Sequence, residues 1–237
     1  MTDDEVAKLK KEVSLLYRVA QTVHSLELKD VLREIVSVVI EVSHADSVLI
    51  YVLDPKKSEL VLRASKNPHA DLLQNITMKM GEGITGWVAR QKQPVAIAQG
   101  ASKDSRFKYF RNLPEDTYEA FLSVPIITKR GVVGVINIQH KAKHAHSQME
   151  VNLLTAVGKL VGGAVENALL IEETLSLKES LELRKLVEKA KGILMKRKGL
   201  SEEAAYKVLQ KKSMDLRKSL KEMADAIIIA EQLSVTH

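Results

Sequence analysis

No cysteine occurs among the 237 residues. That absence excludes disulfides, thiolate-bound metals, cysteine nucleophiles and thioether-linked chromophores in one step. Proline is scarce, with five residues in the chain, and none falls between Ser147 and Lys198, so nothing there forces a helix to end. Aromatic residues make up 4% of the sequence, too few for repeated stacking platforms. No apolar run approaches about 18 residues, and no basic segment precedes an apolar one at the N-terminus. Neither a membrane span nor a secretory leader is therefore expected, and a cytoplasmic location is. Histidine is missing between His146 and His237, so the C-terminal helices lack the phosphoacceptor imidazole that a kinase-like dimerisation module needs. A non-enzymatic role is expected.

What is present is organised around one long helical pattern, from near Ser147 to Lys198. Val157, Val161, Ala164, Ala168, Ile171 and Leu175 recur in steps of four and three, the spacing of a coiled-coil seam. The spacing returns as Leu183, Val187, Ala190 and Leu194. Leu175 and Leu183 are eight residues apart where a heptad needs seven, so the second seam is rotated by roughly 100° and marks a joint. An unbroken helix of this extent reaches about 75 Å, more than one compact domain holds, which predicts a connector between two domains. Near the N-terminus, Val6, Leu9, Val13, Leu16, Ala20 and Val23 form a shorter seam. Together with the seam that starts at Val157, it predicts a parallel homodimer held by helices.

Between the seams the period changes. Val31, Leu32, Ile35, Val36, Val39 and Ile40 give one broad apolar helical face. The β-branched stretch 46–53 ends at Asp54-Pro55 and is followed by the alternating stretch 59–64, a hairpin pattern. Further strands are predicted at 76–80, 94–98, 120–127 and 132–138, with an amphipathic segment at 84–90. Gly81-Glu82-Gly83 marks a tight backbone passage, and without a following Lys-Ser/Thr it does not match a nucleotide P-loop. Pro125 inside a strand predicts an edge or a bulge. The order of helix, antiparallel strands and helix predicts an α+β sandwich, with the long helices on one face of the sheet.

The residues GEGITGWVARQKQPVAI at 81–97, Asp104-Ser105-Arg106-Phe107, SVPI from Ser123 and GVVGVINI from Gly131 resemble a GAF domain, a PAS-like small-molecule sensor. The resemblance implies an antiparallel sheet with a ligand between the sheet and segment 81–110. The candidates to line it are Trp87, Ile97, Phe107, Phe121, Val124 and Asn137; the ligand itself is unknown. The competing reading makes Trp87, Phe121 and Val124 plain core. Without cysteine, the bilin-attaching and methionine-sulfoxide-reducing members of the family are excluded, and no cyclic-GMP-binding Asn-Lys-Phe-Asp-Glu pattern is found. His140, His144 and His146 lie close together, but in a polar turn before a helix, and they are assigned to that turn rather than to a metal.

The C-terminal 60 residues hold 14 Lys and Arg against 9 Asp and Glu, a net +5 of the chain's +6. Concentrated basic charge is the footprint of a polyanion-binding module. Gly199 follows Lys196-Arg197-Lys198 as a helix stop, Ser201-Glu202-Glu203 restarts a helix, and Ser219 to Glu222 has capping-box spacing. The segments Glu188-Lys189-Ala190-Lys191-Gly192-Ile193-Leu194-Met195 and Ser201-Glu202-Glu203-Ala204-Ala205-Tyr206, with Leu209 and the apolar face of 220–228, resemble an ANTAR domain, a three-helix RNA-binding module of transcription antiterminators. The resemblance divides the chain into an N-terminal coiled-coil helix (1–25), a GAF domain (26–167), a coiled-coil connector (168–182) and an ANTAR module (183–237). It implies binding to paired stem-loops in nascent mRNA, with phosphates neutralised by Lys189, Lys191, Lys196, Arg197, Lys198, Lys207, Lys211, Lys212, Arg217 and Lys218, and with Gly192 allowing close approach. Only Tyr206 is aromatic there, so base stacking of the RRM kind is not expected. The alternative is a sensor whose C-terminal helices bind DNA or a protein partner; two leading glutamates on the helix after Gly199 face phosphates poorly.

Overall fold

A computed structural model describes residues 27–66, 75–110 and 118–235. The seam from Val6 to Val23 lies outside the described residues. Two compact units divide between Ile171 and Glu172.

The first unit starts with α1 (Leu28–Ser43), whose Val31, Leu32, Ile35, Val36 and Val39 are buried as their spacing predicts. β1 (Ser47–Asp54) and β2 (Glu59–Ser65) form the expected hairpin, closed where Asp54 Oδ1 accepts the Lys56 N–H at 2.9 Å. After β3 (Thr77–Lys79), α2 (Gly83–Gln91) and β4 (Val95–Ile97) come the long strands β5 (Ala120–Thr128) and β6 (Gly131–His140). The strands build one antiparallel sheet in the order β3-β2-β1-β6-β5-β4. The α+β sandwich expected from the sequence is the fold found. Pro125 does not lie on an edge strand, since β5 runs between β4 and β6. Its missing N–H is tolerated because β4 pairs only with 121–123 and has ended before Pro125, and the register of β5 against β6 shifts between Ile126 and Ile127.

One core lies between the sheet and the helices α1 and α3 (Gln148–Lys198). Here the seam expectation is corrected for its first four residues, whereas Ile171 is half-buried and Leu175 exposed, both outside this core. Val157, Val161, Ala164 and Ala168 are buried in this core, so their spacing of four and three describes a helix packed on its own sheet. Gly158 and Gly162 make the contact close: a Cβ at Gly158 would collide with the Pro125 carbonyl, and one at Gly162 with the Ile127 carbonyl. This packing also accounts for an 18-residue window of α3 with a mean hydropathy of 1.4, which is apolar enough by composition to cross a membrane and is 44% buried. A second core on the opposite sheet face includes Tyr51, Leu60, Ile84, Val88 and Phe121, with Trp87 and Phe107 packed against it.

The second unit contains the end of α3 with α4 (Glu202–Leu216) and α5 (Leu220–Val235). Val187, Ala190 and Leu194 from α3 meet Ala205, Leu209 and Ala224 in a small core, so these three residues of the second seam are internal to their own module, whereas Leu183 is exposed. Gly199 ends α3 at φ +61. The Ser201 hydroxyl caps α4 by accepting the Ala204 N–H at 3.3 Å. Ser219 and Glu222 make the expected capping box: Glu222 Oε2 accepts the Ser219 N–H at 2.7 Å, and Ser219 Oγ accepts the Glu222 N–H at 3.2 Å.

Candidate nucleic-acid interface and sensor face

In the second unit the ten candidate cations divide into two groups. Lys191 is buried, its side chain 8% exposed, with Nζ 2.9 Å from Glu188 Oε1 and 2.7 Å from Glu202 Oε1. Glu202 first, then Glu188, holds its ammonium above the usual lysine range. The expectation that Lys191 meets phosphate is therefore corrected: both carboxylates already neutralise it, and it joins α3 to the first turn of α4. Arg197 pairs with Glu231, Lys207 with Glu203 at 2.6 Å and Lys218 with Glu222 at 3.2 Å. By contrast, Lys189, Lys196, Lys198, Lys211, Lys212 and Arg217 are exposed and make no ion pair among the described residues. These six carry the charge available to a polyanion. Glu188 is the readable signal, three residues before Lys191 on the same helix face; Glu202 comes from α4, a pairing that spacing does not show.

Gly192 is exposed, and a Cβ built there meets nothing within 4 Å. Packing within the chain therefore gives no reason for glycine at this position. Elsewhere in the second unit, Met195, Tyr206, Met214 and Leu216 are also exposed.

In the first unit, five of the six pocket candidates face the same side of the sheet. Phe121 is buried in the second core, with Trp87, Ile97 and Phe107 packed against it. Asn137 sits at the base, where its amide donates to Thr85 Oγ1 at 2.7 Å and its carbonyl accepts from Ser123 Oγ at 2.8 Å. This buried chain fastens α2 to β5 and β6. Val124 lies on the opposite face, in the core beneath α1 and α3, because successive side chains of a strand alternate and Phe121 has set the parity. Trp87 is covered by Arg106, whose guanidinium carbon stands 4.9 Å from the ring centroid. Asp104 grips the same guanidinium through two bonds of 2.8 and 2.7 Å, and this contact holds the Asp104 carboxyl below its usual range. Lys108 reaches Glu82 at 2.8 Å, so segment 104–108 is tied to the entrance of α2. The motif residues from Asp104 to Phe107 thus act as a cover over Trp87. Away from this face, His140, His144 and His146 converge with Glu150.

The comparisons agree with both units. The GAF domain model matches residues 25–166, and the ANTAR domain model matches residues 175–228. The GAF domain from an Acinetobacter phosphoenolpyruvate-protein phosphotransferase is similar with a TM-score of 0.60 and 26% identity, over 69% of this chain and 98% of that one. Transcriptional regulatory protein PdtaR of Mycobacterium tuberculosis is 38% identical over 77 residues, which is 32% of this chain and 38% of that protein. The nitrate regulatory protein of Klebsiella oxytoca is 45% identical over 58 residues, 24% of this chain and 15% of that protein. This chain spans between 11% and 38% of the length of the curated relatives it matches. With a GAF model covering more than half of its residues and an ANTAR model following it, the chain belongs to the GAF–ANTAR family.

Proposed function

We propose that the protein is a signal-responsive antiterminator: its C-terminal module binds paired stem-loops in nascent mRNA and prevents a terminator from forming, under control of a small molecule sensed by the GAF domain. The observation that carries the reading is the match of residues 175–228 to an ANTAR domain, coinciding with six exposed cations that have no acidic partner among the described residues. Phosphate contacts position such a module, while unstacked loop bases and RNA shape supply selectivity. The deciding experiment is competition: a labelled RNA with two stem-loops is displaced by the same unlabelled RNA and resists duplex DNA of equal length, and its affinity falls steeply with salt. Equal competition by DNA defeats the reading.

The sensing half rests on the Trp87 face. The cover formed by Asp104, Arg106 and Lys108 stands over a largely apolar layer that also holds the buried Ser123–Asn137–Thr85 chain and Gln139, a lining suited to a small ligand. Trp87 is the chain's one tryptophan, so its fluorescence reports ligand entry directly. No change across a metabolite panel argues for a purely structural face.

The active form is proposed to be a homodimer joined through α3, but along a different seam from the one that starts at Val157. Leu160, Gly163, Asn167, Leu170, Thr174, Leu177 and Leu181 step by three and four, and all are exposed. A Cβ at Gly163 would meet nothing within 4 Å, which leaves room for a second helix.

A further inference from the structure

We propose that His140, His144, His146 and Glu150 bind one divalent transition-metal ion of the zinc class, joining the end of β6 to the first turn of α3. The four residues each present one donor atom, and these atoms all lie within 4.8 Å of one another. Tetrahedral ligands at bond lengths of about 2.0–2.1 Å stand about 3.3–3.4 Å apart. Closure onto an ion therefore asks the donor atoms, now within 4.8 Å of one another, to draw together by at most about 1.5 Å. His140 is the last residue of β6, where its carbonyl accepts the Glu119 N–H at 2.9 Å. His144 is fixed by its N–H to the Ala98 carbonyl at 3.0 Å, and Glu150 by its N–H to Ser147 Oγ at 3.1 Å. Strand end, loop and helix start thus deliver their ligands independently.

A hydrogen-bond network alone leaves this cluster incomplete. Among the described residues, Glu150 is the one acid that reaches the imidazoles: His144 Nε2 lies 3.1 Å from its Oε2, and His146 Nδ1 lies 3.3 Å from its Oε1. The Nε2 atoms of His140 and His146 are buried with no hydrogen-bond partner among the described residues, a condition that native structures seldom leave unanswered. The His140 and His144 rings stack at 4.0 Å, and those of His144 and His146 meet at 4.7 Å. Burial first, then the neighbouring imidazoles, pushes His140 below its usual range, and burial does the same to His146. Neutral rings with lone pairs available are the form that ligates a metal. Three imidazoles and one carboxyl group form a nitrogen and oxygen set suited to Zn²⁺, with Cu²⁺ and Ni²⁺ as competitors. Asp46 stands behind the site, its Oδ2 accepting the Lys141 N–H at 2.8 Å and its charge favouring a cation near His140. The spacing His-x3-His-x-His-x3-Glu is visible in the sequence, yet a polar turn before a helix gives it no special meaning. The return of the loop to the Ala98 carbonyl, just after β4, accompanies the approach of the rings.

The test uses the full chain, stripped with a chelator and titrated with zinc chloride by calorimetry. One ion per chain is expected, and the Co²⁺ form should show the intense visible bands of four-coordinate cobalt. His144→Ala and Glu150→Gln should each weaken zinc binding at least tenfold, whereas His44→Ala, in the turn after α1, should leave it unchanged. Zinc at a hundredfold excess over its Kd should raise the Tm by about 5–10 °C in the wild type and not in the two variants. X-ray absorption of the zinc-loaded wild type, which needs no substitution, should show imidazole scattering in an N/O shell of four. A zinc isotherm unchanged by either His144→Ala or Glu150→Gln overturns the assignment, as does a six-oxygen shell or the absence of saturable binding.

Discussion

Lys191 Nζ lies 2.7 Å from Glu202 Oε1, so the lysine at the centre of the basic motif joins two helices rather than facing solvent. Two kinds of lysine variant should therefore separate. Lys191→Met should lower the Tm of the C-terminal unit, because it leaves Glu188 and Glu202 without their shared cation. The triple variant Lys196→Ala, Lys211→Ala, Lys212→Ala should leave the Tm within about 1 °C, since exposed side chains outside ion pairs contribute little to stability. That triple variant should weaken stem-loop RNA binding and lower the salt slope by about 2–3, from about 0.7–0.9 for each phosphate that is no longer neutralised. RNA binding that survives the triple variant but fails in Lys191→Met places the interface elsewhere.

Gly192 supplies a prediction in which stability and binding move in opposite directions. With open space where a Cβ would stand, Gly192→Ala should stabilise α3 by about 0.5–1 kcal/mol, the helix-interior preference for alanine. If an RNA backbone approaches this position, the same methyl group should weaken binding. Thermal melts and filter binding on one preparation check both signs, and tighter binding by the stabilised variant removes the close-approach explanation.

The fold is largely legible in the sequence because its local signals agree with its tertiary demands. The Asp54-Pro55 turn, the Gly199 stop and the Ser219 to Glu222 box each carry their own hydrogen-bond chemistry, and all appear where the spacing places them. The seams mislead for a physical reason. A stripe buried on a sheet and a stripe buried on a partner helix both recur at three and four, and only Gly158 and Gly162 distinguish them, by removing Cβ atoms that would strike β5 carbonyls. At the candidate interface, composition locates the charge but not its neutralisation, because Glu202 and Glu231 approach Lys191 and Arg197 from other helices. Val124 belongs to the SVPI motif but not to the sensor face, since motif membership says nothing of strand parity.

The exposed seam makes the dimer testable. Leu177 is 60% exposed, so Leu177→Lys should leave the fold intact while placing a charge in a helix pair, and light scattering should fall from twice 26.4 kDa to 26.4 kDa. Ala164→Glu, in the seam that starts at Val157, should instead destabilise the first unit, because Ala164 is buried against the sheet and a carboxylate there is cut off from water. A wild-type mass of 26.4 kDa, or a Leu177→Lys variant that remains dimeric, rejects this seam.

The capping box at the start of α5 gives the second unit an acid-sensitive joint. Glu222 is held at about 2, below its ordinary 4.5, first by the backbone N–H of Ser219, then by the Ser219 hydroxyl and by Lys218. A carboxylate depressed in the folded state favours folding at pH values above 4.5, and that contribution is lost as pH falls towards 2. The sign is fixed because the unfolded chain takes up the proton first. Helicity of the C-terminal unit should therefore decline over this window in the wild type. Glu222→Gln should remove the part of the decline that belongs to this group, since the amide can still accept from Ser219 but does not titrate. Ser219→Ala should destabilise α5 at neutral pH by about 1 kcal/mol, the usual effect of losing an N-cap hydroxyl. It should also narrow the acid transition, because the Ser219 hydroxyl is one of the groups that depress Glu222. Circular dichroism at about 222 nm between roughly pH 6 and pH 2 reads all three chains, and identical acid profiles for wild type and Glu222→Gln would show that the box does not control this joint.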